Sequence, residues 1–127
     1  MVSHAMEELP NECCGLILGR DGHLEEVIPM RNLRPAPDYY FMDPEQQVKV
    51  FSEMEKNGKS LLGIYHSHPN GPPYPSNTDL ELAYHPDTFY FIVSLENRDH
   101  PELRAFMLKN EDFQEVFITR ENEDKKL

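Results

Sequence analysis

Apolar residues cluster along the chain at spacings that predict alternating strands and helices. Residues 13–20 and 89–95 are dense in apolar side chains and predict buried strands. Further strands are expected at residues 23–30, 61–68, 103–109 and 113–119. Helices are expected at residues 2–9, 44–56 and 76–84. This interleaved order predicts one mixed α/β domain over residues 1–127, a twisted sheet flanked by helices.

Turn and capping residues indicate where these elements begin and end. Asp21-Gly22 is typical of a tight hairpin turn. Asp43 and Pro44 suit the N-cap and the first position of the second helix. The apolar residues that follow at helical spacing in this helix are Val48, Phe51 and Met54. Residues 31–38 predict a loop, residues 39–42 a short strand at a sheet edge, and the charged tail from residue 120 a mobile segment.

Two histidines one residue apart end the strand at residues 61–68, in His66-Ser67-His68-Pro69. Residues i and i+2 of a strand face the same side, so both imidazoles can converge on one ion. Pro69 keeps His68 extended. Asp79 in the first turn of the next helix offers a third ligand. Three protein ligands leave a fourth tetrahedral position for water, which is the arrangement of a catalytic zinc site.

A simpler interpretation competes for the segment that contains Asp79. Ser76-Asn77-Thr78-Asp79 matches a capping box, in which the serine caps the helix and the acid reaches back to the serine amide. This arrangement is expected to use up the Asp79 carboxylate and to leave the histidines as a polar pair. For these four residues alone the capping box is the better interpretation, and only a match to a family of metal sites outweighs it.

Charge and cysteine content narrow the classes of function. The formal net charge of −11 argues against nucleic acid and anionic membranes as partners, because both bind basic surfaces. Cys13 and Cys14 are adjacent, which disfavours a disulfide between them, and they predict small buried residues in a reducing compartment. No run approaches the ~18 apolar residues that span a bilayer, and no secretory signal is visible at the start. We therefore expect a cytoplasmic protein.

Glu12, His66-x-His68, Ser76 and Asp79 together resemble the complete motif of the JAMM (MPN+) metalloproteases. The chain is similar in particular to the small stand-alone prokaryotic members, some of which process ubiquitin-like sulfur-carrier proteins. The resemblance implies a JAB/MPN domain, a mixed and strongly curved β-sheet flanked by helices with a cytidine-deaminase-like architecture. Members commonly carry a strand and a longer helix before the glutamate, whereas eleven residues precede Glu12 here, so the packing beneath Glu12 is expected to differ.

The resemblance also implies a role for each motif residue. His66, His68 and Asp79 would ligate one zinc ion, with a bound catalytic water. Glu12 would take a proton from that water and deliver it to the leaving amine, and Ser76 would donate a hydrogen bond to the developing oxyanion. The expected substrate is a ubiquitin-like or sulfur-carrier protein whose Gly-Gly C-terminus is joined to cysteine or to a lysine side chain. A monomer and a homodimer both remain open.

Two alternative functions compete with this one. A non-catalytic MPN-type scaffold would only bind partner proteins, but such modules lose metal ligands that this chain keeps. A zinc deaminase needs His-x-Glu together with Pro-Cys-x-x-Cys, and this pair of motifs does not occur. The other histidines are expected to be non-ligands: His85 as a helix cap, and His4, His23 and His100 as peripheral residues.

Overall fold

A computed structural model describes residues 1–83 and 87–118. Over these residues the helices are α1 (Val2–Glu7), α2 (Pro44–Lys56) and α3 (Asn77–Leu82). The strands are β1 (Cys14–Arg20), β2 (His23–Met30), β3 (Ser60–His68), β4 (Phe89–Ser94), β5 (Glu102–Lys109) and β6 (Asp112–Val116). They form one sheet in the order β2-β1-β3-β4-β5-β6, in which β3 and β4 are parallel and all other neighbours antiparallel. The predicted mixed sheet with flanking helices is confirmed.

Both faces of the sheet are buried, because side chains alternate between them along each inner strand. The first apolar cluster contains Ala5 of α1 with Ile17, Tyr65 and Val93. The second contains Leu16, Ile64 and Ile92, and Val50 and Phe51 of α2 pack against it. The two faces are therefore covered by different helices, α1 on one and α2 on the other.

Several local predictions are confirmed at the residues that carry them. Asp43 caps α2, because its Oδ1 accepts a hydrogen bond from the Glu45 amide at 3.0 Å. Asp21 and Gly22 both have positive φ, 51° and 78°, as a tight hairpin turn of this type requires. Cys13 and Cys14 are buried free cysteines. No helix in the described ranges is long and apolar enough to cross a membrane.

Two expectations around α2 are wrong. Val48 is 68% exposed, whereas its neighbours Val50 and Phe51 pack against the second cluster. Packing of α2 on the sheet sets the rotation of the helix about its own axis, and this rotation turns Val50 and Phe51 towards the second cluster. Residues 39–42 form no strand, because Met42 and Tyr39 make only isolated bridges within their own loop and none to the sheet.

The remaining differences concern the ends of elements. β6 ends at Val116, and Phe117 beyond it is 88% exposed, so the strand expected at residues 113–119 is shorter. The helix expected at residues 76–84 is shorter, because α3 ends at Leu82 and Ala83 after it is extended. Residue 84, the proposed cap His85, residue 119 and the tail from residue 120 lie outside the described residues.

The first cluster depends on the close approach of Tyr65 to Gly15. The two residues are opposite each other in the β1–β3 ladder, and a Cβ at Gly15 would overlap the fully buried tyrosine ring. The Tyr65 hydroxyl reaches His4 Nδ1 at 2.8 Å, which ties α1 to the sheet. The expectation that His4 is peripheral is therefore wrong.

We expect Gly15→Ala to destabilise the protein by about 1–3 kcal/mol, because the added methyl group must displace the Tyr65 ring. The measurement is chemical unfolding at fixed pH. Gly71→Ala is the matched control, since a Cβ there meets its nearest atom at 3.8 Å and the backbone φ is not positive. Equal stability of Gly15→Ala and wild type would contradict the proposed packing.

Candidate metal centre

The end of β3 presents two buried imidazoles to the same face of the sheet. His66 is 3% exposed and His68 is 9% exposed, and their Nε2 atoms lie 3.1 Å apart. The carboxylate of Asp79 in the first turn of α3 meets both rings. Its Oδ1 is 3.1 Å from His66 Nε2 and its Oδ2 is 3.0 Å from His68 Nε2.

These three side chains fit a metal ion. Each offers one ligand atom, and the ligand atoms all lie within 4.8 Å of one another. In a tetrahedral zinc site with bonds of about 2.0–2.1 Å to nitrogen, neighbouring ligand atoms lie about 3.3 Å apart. The two Nε2 atoms, 3.1 Å apart, are close to that value, and each imidazole nitrogen has one Asp79 oxygen at 3.0–3.1 Å. Two imidazoles and one carboxylate are a donor set that zinc favours.

The rings are oriented by different contacts. His68 Nδ1 lies 2.9 Å from the Pro72 carbonyl, which can only accept, so this nitrogen carries a proton and Nε2 is the ring nitrogen that faces Asp79 and could bind a metal. His66 Nδ1 is buried without a hydrogen-bond partner in the described part of the chain. Its ring is stacked instead on Tyr40, with centroids 5.0 Å apart and an interplanar angle of 27°. Sequence reasoning missed Tyr40, because it placed the residue in an edge strand.

The proline-rich loop between His68 and α3 is held by hydrogen bonds from three side chains to its backbone carbonyls, and two of these side chains lie outside the sequence motif. The carbonyls of residues 69, 71 and 72 each receive a hydrogen bond from a different side chain. The donors are Arg98 to Pro69, Ser94 to Gly71 and His68 to Pro72. The stiffness expected from the prolines is therefore reinforced by three anchors, which return the chain to the histidines at Asp79.

The capping box and the metal site turn out to be compatible. Ser76 Oγ accepts a hydrogen bond from the Asp79 amide at 3.1 Å, and the Ser76 amide donates to Asp79 Oδ2 at 2.8 Å. The expectation that capping uses up the carboxylate is wrong, because a carboxylate has several lone pairs and both oxygens still face the imidazoles. Burial alone would raise the pKa of Asp79, but hydrogen bonds with both imidazoles and the Ser76 amide hold it well below its ordinary range.

Glu12 reaches the same face through the β1–β3 ladder. Cys14 is opposite His66, and continuing this antiparallel register past the end of β1 places Glu12 opposite His68. Glu12 is 4% exposed. Burial raises the pKa of its carboxyl to about 8, while the positive charge of His68 acts in the opposite direction. A carboxyl group with a pKa near neutrality can both accept and return a proton.

Ser76 lies beside this group on the exposed side. It is the N-cap of α3, next to Asp79 through the two hydrogen bonds of the capping box. Its hydroxyl accepts from the Asp79 amide and keeps its own proton free to donate. The five residues singled out in the sequence therefore come from three elements that meet at one end of the sheet.

The chain is similar to a defined protein family, to curated proteins and to solved structures. A family described as prokaryotic homologs of the JAB domain matches residues 1–109. The CysO-cysteine peptidase of Mycobacterium tuberculosis is 39% identical over 110 residues, which cover 85% of this chain and 75% of that protein. The desampylase of Haloferax volcanii is 33% identical over 129 residues, which cover 95% and 89%. A Desulfitobacterium hafniense protein of known solution structure superposes with a TM-score of 0.82 at 41% identity, covering 91% of this chain and 82% of that one.

We expect the protein to bind one equivalent of zinc, and His68→Ala to weaken this binding by more than about 100-fold, because a ligand is lost. Chelator competition gives the affinity and native mass spectrometry the stoichiometry. His100→Ala is the control, since it removes an exposed imidazole that is not one of the three candidate ligands. Stoichiometric zinc in His68→Ala would remove this residue from the ligand set.

The raised pKa of Glu12 predicts how stability depends on pH in chelator-treated protein. Because the folded-state pKa of about 8 lies above the ordinary value of 4.5, the neutral carboxyl stabilises the fold at low pH, and this contribution is lost as the pH rises towards 8. We expect the unfolding free energy of wild type to fall relative to that of Glu12→Gln between pH 5 and pH 8. Parallel pH curves for the two proteins would show that Glu12 is not buried as described.

Proposed function

The chain belongs to the family of prokaryotic homologs of the JAB domain, and from that premise we propose that it is a zinc-dependent hydrolase of peptide or isopeptide bonds. The observation that supports this most directly is the meeting of three potential ligands with a buried acid of raised pKa. A scaffold that only binds partners has no need of this group, because burying two carboxylic acids beside two imidazoles is costly.

Each motif residue has a role in this proposal. His66, His68 and Asp79 hold the zinc ion. When bound, zinc supplies Lewis-acid activation of the scissile carbonyl and of water. Glu12 accepts the proton of the attacking water and delivers it to the leaving amine, a task that suits a carboxyl with a pKa of about 8. Ser76 donates its free hydroxyl proton to the oxyanion that develops on the substrate.

The proposed substrate is a ubiquitin-like or sulfur-carrier protein with a Gly-Gly C-terminus. Support comes from the resemblance to small prokaryotic members that process such carriers, and from the mycobacterial relative, whose name is that of a peptidase acting on CysO-cysteine. Glycines lack a Cβ, so a Gly-Gly tail can approach a buried site more closely than other sequences. The domain is proposed to act as one unit over residues 1–127.

The test is cleavage of a sulfur-carrier protein extended by one cysteine past its Gly-Gly end. We expect zinc-loaded wild type to cleave after the second glycine, and Glu12→Gln to retain zinc but turn over at least about 100-fold more slowly, because the proton acceptor is lost. Mass spectrometry identifies the products and progress curves give the rates.

The outcomes separate the parts of this proposal. His100→Ala should cleave like wild type, which controls for handling of the variants. Turnover by Glu12→Gln at the wild-type rate would remove Glu12 from the mechanism. Absence of cleavage by wild type with one bound zinc, on both the cysteine-extended carrier and a lysine-linked conjugate, would exclude Gly-Gly carriers as substrates and favour the scaffold alternative.

A further inference from the structure

The peptide group between Glu12 and Cys13 is hydrogen-bonded at both ends by side chains. Its N–H donates to Ser67 Oγ at 2.8 Å, and its carbonyl accepts from Asn32 Nδ2 at 3.1 Å. Ser67 is fully buried and lies between the two histidines in β3. The peptide next to the Glu12 side chain is thus fixed by one contact from β3, which carries the two histidines, and by one contact from the loop at residues 31–42.

The Ser67 contact replaces part of the regular β-ladder. In an antiparallel ladder every second facing pair exchanges two backbone hydrogen bonds, and Cys13 with Ser67 occupies such a position. The Ser67 amide does donate to the Cys13 carbonyl at 3.2 Å, but the Cys13 amide donates to the Ser67 hydroxyl instead of its carbonyl. The hydroxyl therefore sets how far the chain departs from β3 at the point where it reaches Glu12.

The Asn32 contact is equally specific, because the whole side-chain amide is engaged. While Nδ2 donates to the Glu12 carbonyl, Oδ1 accepts from the amides of Arg34 at 3.0 Å and Phe41 at 2.9 Å. The Glu12 amide itself donates to the Ala36 carbonyl of the same loop at 2.8 Å. The loop and Glu12 are thus fixed to one another by backbone and side chain.

We propose that Ser67 and Asn32 are positioning residues that set the location of the Glu12 carboxyl relative to His66 and His68, an inference that rests on the proposed function. Rotation of the Glu12–Cys13 peptide swings the Cα–Cβ bond of Glu12 and moves its carboxyl, while the two imidazoles stay on β3. Misplacement of a reacting group by about 1 Å costs about 100-fold in rate. Loss of either contact therefore lowers turnover without removing a metal ligand.

The test compares Ser67→Ala and Asn32→Asp with wild type in the zinc-loaded state. Asn32→Asp keeps an acceptor for the Arg34 and Phe41 amides and loses the donor to Glu12. For both variants we expect kcat to fall about 10- to 100-fold. We expect an unchanged KM and one bound zinc. Ser67→Thr, which keeps the hydroxyl, should restore much of the rate.

Hydrogen exchange provides a readout that needs no substrate. In Ser67→Ala we expect exchange of the Cys13 amide to accelerate at least about tenfold more than that of the other β1 amides, because only this amide loses its acceptor. Val93→Ala is the matched control. Val93 is paired with Ser67 in the β3–β4 ladder and is fully buried in the cluster that contains Cys13, so its truncation lowers global stability while both side chains that hydrogen-bond to the Glu12–Cys13 peptide remain.

The results distinguish failure of this inference from failure of the proposed function. If wild type cleaves and both Ser67→Ala and Asn32→Asp turn over as Val93→Ala does, the positioning role is overturned. Loss of zinc from Ser67→Ala would assign Ser67 to support of the ligands instead. If wild type itself cleaves no carrier conjugate, the proposed function fails. Independently of cleavage, unaltered exchange of the Cys13 amide in Ser67→Ala would exclude the hydrogen bond between Cys13 and Ser67.

Discussion

The antiparallel pairing of β1 with β3 is the constraint on which the rest of the molecule depends. It places Cys14 opposite His66, and it aligns Gly15 with Tyr65, so one register serves both the site and the first apolar cluster. A slip by one residue would turn every side chain of β1 to the other face. Glu12 would then leave the face of the histidines, and the Tyr65 ring would meet Cys14 or Leu16 in place of a glycine. Packing of the core and assembly of the site are therefore not independent.

The same pairing decides how buried charge is tolerated. Asp79 stays ionised because two imidazoles and a backbone amide surround its carboxylate. Glu12 lacks such compensation, and burial raises the pKa of its carboxyl to about 8, so it is largely neutral at lower pH. A second uncompensated negative charge beside an apolar cluster would be costly. A divalent cation held by the candidate ligands would add positive charge at this end of the sheet and would favour ionisation of Glu12.

The elements and the grouping of the three candidate ligands were predictable because each depends on a short stretch of sequence. Strand periodicity places His66 and His68 on one face, and a capping motif places Asp79 at the start of α3. Contacts made by folding were not predictable. In α2, Phe51 was expected on the apolar face and packs there, but Val50 was missed because the spacing from Val48 through Phe51 to Met54 looked regular.

The stacking of Tyr40 on His66 and the two contacts to the Glu12–Cys13 peptide were also not predictable from the sequence. Each depends on a loop conformation at residues 31–42 that makes only isolated bridges, and no periodicity encodes it. Glu12 itself illustrates the limit, because a glutamate before a buried strand is usually a solvated charge. Family resemblance identified it, and the long-range register explains how it reaches the histidines.

The metal ligands and the acid differ in what holds them. His66, His68 and Asp79 lie within one stretch of β3, an anchored loop and a capped helix, so local structure alone orients these three candidate ligands. Glu12 arrives from a different part of the chain and depends on the end of a ladder and on a neighbouring loop. Perturbations of β1 can therefore move the acid while the ligands stay in place. We therefore expect metal binding and turnover to be separable in this fold, so that a variant which keeps the three candidate ligands can still lose the proposed chemistry through a change in the opposite strand.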